Sequence, residues 1–254
     1  DRKIYWLEIS KSNNSIRGIQ AMKNGTLYGV GVGPGDPELM TIKAIKILSS
    51  VNIIAYPAPE EGASFAREIV SSHLKKDYTE IPIRMPLNAN NFPIDEIYEQ
   101  ATYQITTYLE QGIDVAILCE GDSFFYGSFL YLYQRLAEKF KVVVIPGVSS
   151  PMACAAALGQ PLAARNDALI ILPATLPEES LIERMNLADS VVIIKVGRHI
   201  SKAIAALEKS GLAKNAHYVE RATTSNQRIF EIFKAPSPAA YFSIIIAHRR
   251  GSAW

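Results

Sequence analysis

Three short segments hold the residues best able to meet a polar ligand. The first is GVGVGPGDPELMT at residues 29–41. It lies where an apolar strand gives way to a helical pattern. Glycines there let backbone approach a ligand closely, and a helix start offers free N–H groups. A phosphate site is a poor fit. Pro34 removes one N–H, Asp36 puts a carboxylate where a pyrophosphate would lie, and no GK[ST] follows. The second segment is CEGDSFFY at 119–126, just past an all-apolar run. In an open α/β sheet that end of a strand is where ligands bind. Asp122 could hold an ammonium or ribose hydroxyls, and backbone at Gly121 and Ser123 could bond a small polar group. Asp122 or Ser123 could equally start the next helix. The third is PGVSSPMACAAA at 146–157. Ser149 or Ser150 can cap a helix whose small residues allow close approach by a helix or a flat ligand.

Positioning these segments requires alternating strands and helices. Leu27 to Val32 reads as a strand. A helix capped by Asp36 should follow, with Leu39, Ile42, Ile45 and Leu48 on its core face. Strands are expected near 51–56 and 79–83, with a helix at 64–74 between them. A loop at 84–93 leads to a long helix with core face Ile97, Ala101, Ile105 and Leu109, stopped by Gly112. Val115 to Cys119 reads as a buried parallel strand. A helix from the GDS turn to Phe140 and a strand at 142–145 complete the alternation. This pattern predicts a parallel, wound α/β sheet. Later strands, near 169–172, 191–196, 217–220, 229–233 and 242–247, include three without helix-length spacers. They predict a mixed sheet in a second α/β domain, with a cleft between the two. The expected division is an extension at 1–24, a first domain at 25–145 and a second at 146–254.

Composition narrows the function. Lys and Arg number 26 against 25 Asp and Glu, for a formal charge of +1. Such balance gives no electrostatic footprint for nucleic acid. No apolar run reaches membrane-span length. The segment Asp1 to Asn24 lacks the pattern of a secretory signal, so a cytoplasmic protein is expected. Cys119 and Cys154 have no metal-type spacing, and neither do His73, His199, His217 and His248. No metal is expected. An NAD(P) oxidoreductase would need GxGxxG and a later acidic residue, and the spacing is wrong. A non-catalytic binding module stays open.

Taken in order, GVGPGDPELMT, EGDSFFYGSF and IPGVSSPMACAAA resemble the tetrapyrrole methylase family over about residues 26–248. Ser123 departs from the proline usual there. The resemblance implies S-adenosylmethionine bound in the interdomain cleft of a homodimer. By position, Pro34, Gly121, Asp122, Ser123, Tyr126, Ser149, Ser150 and Val196 would border that cofactor, and Ala222 and Tyr241 would complete an adenine pocket. KVGR at 195–198, YVER at 218–221 and AYFSIII at 240–246 resemble members that methylate carbon-20 of precorrin-2, a tetrapyrrole polycarboxylate. Other corrin positions, uroporphyrinogen, ribosomal RNA or a diphthamide precursor are the alternative substrates. Cations should meet the carboxylates: Arg84, Lys195 and Arg198, with Arg165 and Arg221 also available. A base, if one is used, is Glu120, Asp122 or Tyr126 by position alone.

Overall fold

The computed structural model describes residues 24–74, 77–85 and 94–252. Residues 1–23 of the expected extension at 1–24, and most of the 84–93 loop, lie outside them.

The first sheet contains β1 (Thr26–Gly31), β2 (Ile53–Pro59), β3 (Thr79–Met85), β4 (Val115–Cys119) and β5 (Lys141–Ile145). Their order is β3-β2-β4-β1-β5, and every pairing is parallel. On one face lie α1 (Ile42–Ser50) and α2 (Phe65–Ile69). The other carries α3 (Ile94–Glu110) and α4 (Phe129–Leu136). Val115, Ile117 and Cys119 of β4 join the α3/α4 cluster, while Ala116 and Leu118 join the α1/α2 cluster. Covering on both faces explains why β4 has no polar residue. The chain leaves β1 toward α1 on one face and leaves the adjacent β4 toward α4 on the other. That divergence opens a crevice at the strands' carboxyl ends, the usual ligand position in such sheets.

The second sheet has β6 (Leu169–Pro173), β7 (Ser190–Ile194), β8 (Ala216–Glu220), β9 (Arg228–Glu231) and β10 (Ser243–His248), ordered β6-β7-β10-β8-β9. Only β6 and β7 run parallel; the other pairs are antiparallel. This is the expected mixed sheet. One face packs on α6 (Glu178–Met185) and α7 (Ile200–Lys209), the other on α5 (Ser150–Leu158). Small side chains Ala153, Cys154 and Ala155 let α5 lie close on Val192, Val219, Ile244 and Ile246.

Local structure corrects several expectations. Asp36 caps only a 3-10 turn, Pro37–Leu39, through a 2.9 Å bond from the Glu38 amide. Thr41 caps α1, its hydroxyl accepting from the Ala44 amide at 3.1 Å. That restart moves the buried face to Met40, Ala44 and Leu48, and Ile42 is exposed. The helix expected at 64–74 is α2 plus a 3-10 turn at Ser71–His73. The helix expected after GDS begins only at Phe129 and ends at Leu136. Gly112 does stop α3. It adopts φ +78°, with the Gly112 amide bonding the Leu109 carbonyl and the Ile113 amide that of Tyr108.

Candidate functional site

Loops from β1, β4 and β5 meet at the crevice through glycine. Gly33 and Gly121 exchange backbone hydrogen bonds of 3.1 and 2.8 Å in an antiparallel bridge. A β-carbon on Gly31 would come within 2.6 Å of the Gly147 nitrogen and 2.8 Å of the Gly121 carbonyl oxygen. One on Gly147 would press on that same oxygen and on Gly31 at 2.9 Å. The three loops can close only without side chains at these positions, which is a direct physical reason for glycine. Gly121 is also left-handed, at φ +67°.

Asp122 locks the junction. One carboxylate oxygen accepts from the Phe124 amide and the other from the Gly147 amide, both at 2.9 Å. Its first task is therefore to tie the β4 turn to the β5 loop, not to present a free charge. Ser123 is fully buried, its hydroxyl directed to the Ile145 carbonyl at 3.5 Å. Only its backbone can serve a ligand. Tyr126 takes a left-handed φ of +54° and leaves much of its ring exposed. Ser149 stands at the start of α5, but its hydroxyl meets the Met152 sulfur at 2.8 Å and makes no capping bond to an amide. Ser149 and Ser150 lie beside Gly121, whose missing side chain would sit 3.7 Å from both.

The second domain closes the site. The Thr223 hydroxyl accepts from the Asp36 amide at 3.1 Å, and a side chain on Gly35 would strike Thr224 at 2.6 Å. Phe242 packs on Phe65 with ring centroids 4.6 Å apart. Lys195, exposed and at φ +56°, holds its ammonium 5.8 Å from the centroid of the Tyr126 ring. Arg221 and Thr223 also have positive φ. Left-handed non-glycine residues are costly and tend to gather at functional loops; Tyr126, Lys195, Arg221 and Thr223 all sit on loops at this cleft. Thr223 and Thr224 were not legible as site residues, because nothing local marks a partner 187 positions away.

Other expected residues lie differently. Pro34 is partly buried between Gly33 and Gly35, on the cleft. Val196 is fully buried in the cluster beneath α6 and α7, so its side chain belongs to the core. Arg198 is exposed in a 3-10 turn, Gly197–His199. Arg84, at the end of β3, bonds the Pro59 and Glu60 carbonyls at 3.0 and 3.2 Å. It lines a cavity of about 280 Å³ with Tyr56, Ser64 and Arg67. There Arg67 and Tyr56 both bond Glu80. Burial first, and then the Glu80 carboxylate, push the Tyr56 hydroxyl up to about 12.

Glu120, the last residue before the turn, is partly buried. Desolvation raises its pKa, while its own amide and that of Ala66 pull it back. The Cys119 thiol is pushed up to about 12, chiefly by burial, and Cys154 likewise. Both are packing residues. Among the described residues, no cluster of His, Cys, Asp or Glu could hold a metal.

Comparison with known proteins agrees with this architecture. The family model described as Tetrapyrrole (Corrin/Porphyrin) Methylases matches residues 26–234. A cobalamin biosynthesis protein CobIJ from Mycobacterium tuberculosis is 40% identical over 229 residues, covering 87% of this chain and 45% of that protein. The chain thus spans about half the length of that relative. A precorrin-2 C(20)-methyltransferase from Sinorhizobium is 38% identical over 231 residues, covering 87% of this chain and 94% of that one. Among solved structures, the cobalt precorrin-4 methyltransferase CbiF superposes with a TM-score of 0.71 at 19% identity, covering 89% of this chain and 96% of that one.

Proposed function

We infer the function of this chain from one premise: it belongs to the tetrapyrrole (corrin/porphyrin) methylase family. That family consists of methyltransferases that use S-adenosylmethionine. The reaction proposed is methyl transfer to carbon-20 of precorrin-2 in cobalamin biosynthesis. The observation that carries it is the 38% identity, over nearly the full length of both chains, to a protein named for that reaction.

The residues present fit the cofactor. Gly31, Gly121 and Gly147 leave the crevice floor as bare backbone, which suits a compact amino-acid head group. In this reading Pro34, the backbone of Gly121 and Ser123, Tyr126, Ser149 and Ser150 surround it, and Asp122 shapes the turn. When bound, it supplies an electrophilic methyl on a sulfonium; the protein's work is alignment and exclusion of water. Lys195, Arg198 and Arg84 are proposed to meet substrate carboxylates. The division at Ile145/Pro146 belongs to the same reading, as does a cytoplasmic location. Among the described residues no helix is long and apolar enough to cross a membrane. We also propose a homodimer; the exposed Phe124, Leu130 and Tyr131 offer an apolar surface for it.

The test pairs binding with turnover. S-adenosylhomocysteine should raise the melting temperature and NAD should not, since a ligand selective for the native state stabilises it. Incubation with metal-free or cobalt-loaded precorrin-2 and labelled methyl donor should add one methyl, located by NMR at carbon-20. A stabilising effect from NAD alone, or a methyl at another carbon, would overturn the reading.

A further inference from the structure

Lys195 follows β7, Thr223 follows β8 and Phe242 precedes β10, so one end of the second sheet meets the first domain. At that end Glu220 of β8 lies between Ser243 of β10 and Arg228 of β9. It is only 1% exposed. A carboxylate so buried is costly unless it is paired and hydrogen-bonded. Glu220 is both. Arg228 meets one oxygen through Nε and Nη2, each at 2.5 Å, and the Tyr218 hydroxyl donates to the other at 2.6 Å. Tyr218 is fully buried, two residues back on the same face of β8. Its oxygen accepts from the Ala240 amide at 3.0 Å, and the Ser243 hydroxyl donates to the Ala240 carbonyl at 2.6 Å. Both backbone polar groups of Ala240 are thus held.

These bonds lead to the seam between the domains. Two residues beyond Ala240, Phe242 packs on Phe65. The Phe242 carbonyl in turn accepts from the Arg221 amide at 2.9 Å. Arg221 opens the loop between β8 and β9, which delivers the Thr223 hydroxyl to the Asp36 amide. That loop is bracketed by the ion pair of Glu220 and Arg228, and inside it Gln227 Oε1 accepts from the Thr223 amide at 2.7 Å. Arg221 and Thr223 hold left-handed φ of +48° and +69°, conformations that persist only where their surroundings over-determine them. Thr223 and Phe242, which both touch the first domain, therefore trace back to one buried carboxylate.

We propose that Glu220 is a positioning residue for the methyl transfer: it ties the 221–227 and 240–242 loops together so that Thr223 and Phe242 close the crevice on the first domain. The proposal rests on the cofactor site proposed above. With its oxygens committed to Arg228 and Tyr218, Glu220 acts through these loops and not on a ligand. An apolar residue of like volume would fill the same space at a lower desolvation cost, so what the carboxylate adds is direction. Without it the loops still form but spend only part of their time in the closed arrangement. A ligand that binds that arrangement is then held more weakly in proportion to the population lost, and saturation with ligand restores closure. The effect falls on affinity and spares the chemical step.

The deciding experiment compares wild type with Glu220→Gln, which keeps the volume but removes the charge and sets an NH2 group against one of the two donors. The Kd for S-adenosylhomocysteine, read by calorimetry, should rise about tenfold, as expected when about one molecule in ten stays closed. The KM for S-adenosylmethionine should rise with it, while kcat at saturation stays within about threefold of wild type. Met185→Ala is the control for lost stability alone. Met185 is fully buried in the core of the second domain, and its truncation should lower the melting temperature without moving either constant. Phe242→Ala cuts the contact with Phe65. Added to Glu220→Gln it should raise the Kd by less than the product of the single effects, because both act on one closure. Should E220Q not fold, Tyr218→Phe carries the test: it removes only the link from Glu220 to Ala240, and must raise the Kd with kcat retained. A folded variant with Kd and KM within about twofold of wild type overturns the proposal. So does an equal rise in Met185→Ala, or single effects that simply multiply. A wild type that binds S-adenosylhomocysteine but leaves precorrin-2 unmethylated fails the substrate reading, and the calorimetric titrations still decide this one. A wild type that does not bind S-adenosylhomocysteine fails the cofactor site and this proposal with it.

Discussion

Asp122 offers the sharpest test of how the crevice is built. Its two oxygens hold two amides, Phe124 and Gly147, each at 2.9 Å. The Gly147 bond is partly buried and involves a charged acceptor, worth about 1.5–3 kcal/mol. The Phe124 bond is exposed and worth about 0.5–1 kcal/mol. Asp122→Ala removes both and leaves the Gly147 amide without its acceptor, for a cost of about 2–4 kcal/mol. Asp122→Asn is the more telling change. It keeps the size but turns one acceptor into a donor, so one amide faces an NH2 group and about half the cost remains. In a chain of this size each kcal/mol moves the melting temperature by about 2–4 °C. The alanine variant should melt roughly 5–10 °C lower and the asparagine variant about half as much lower. Calorimetric scans measure this directly, and titration with S-adenosylhomocysteine on the folded variants should show weaker binding as the turn loosens. An asparagine variant melting within about 1 °C of wild type, with unchanged affinity, would refute the idea that this carboxylate ties the two loops.

The other predictions concern the same framework. Gly147→Ala sets a β-carbon against the Gly121 carbonyl and Gly31, all backbone, so relief needs a loop displacement. It should cost at least about 1–3 kcal/mol and abolish cofactor binding before it abolishes folding, read by calorimetry beside circular dichroism. Asp167 is held down to about 2 by the Ala164 amide and Arg250, with His248 contributing. A carboxyl depressed in the folded state stabilises it above the unfolded pKa, near 3.8, and that support is lost as pH falls toward 2. Asp167→Asn should therefore flatten the stability curve across that acid window while removing a contribution present at neutral pH. An unaltered acid slope in denaturant titrations would contradict the pairing.

Much of the first domain was legible because its chemistry and its sequence signal coincide. Parallel strands covered on both faces must be apolar throughout, and VAILC at 115–119 shows it. Gly33 and Gly121 take left-handed φ of +84° and +67°, which favours glycine, so their bridge is visible as glycine within two of the sequence motifs. Phase was harder. Leu39, Ile42, Ile45 and Leu48 obey helical spacing, yet the cap at Thr41 restarts the helix and selects Met40, Ala44 and Leu48. α4 starts late because Asp122 captures the Phe124 amide and Tyr126 turns left-handed, and periodicity reports neither. α6 and α7 were not read from the sequence, although Leu181 and Met185, and Ile200, Ala203 and Leu207, keep helical spacing; the strands around them dominated the pattern. What no local spacing could convey is the seam between domains: Thr223 on Asp36, Phe242 on Phe65, Lys195 over Tyr126.

The seam also changes how the EGD turn works. Sequence draws attention to Asp122, because a carboxylate after glycine past a buried strand looks like a ligand. The structure gives that carboxylate two amides to hold, one of them Gly147 on the far side of the expected boundary at 145/146, so it fixes the shape of the turn and joins it to the loop after β5.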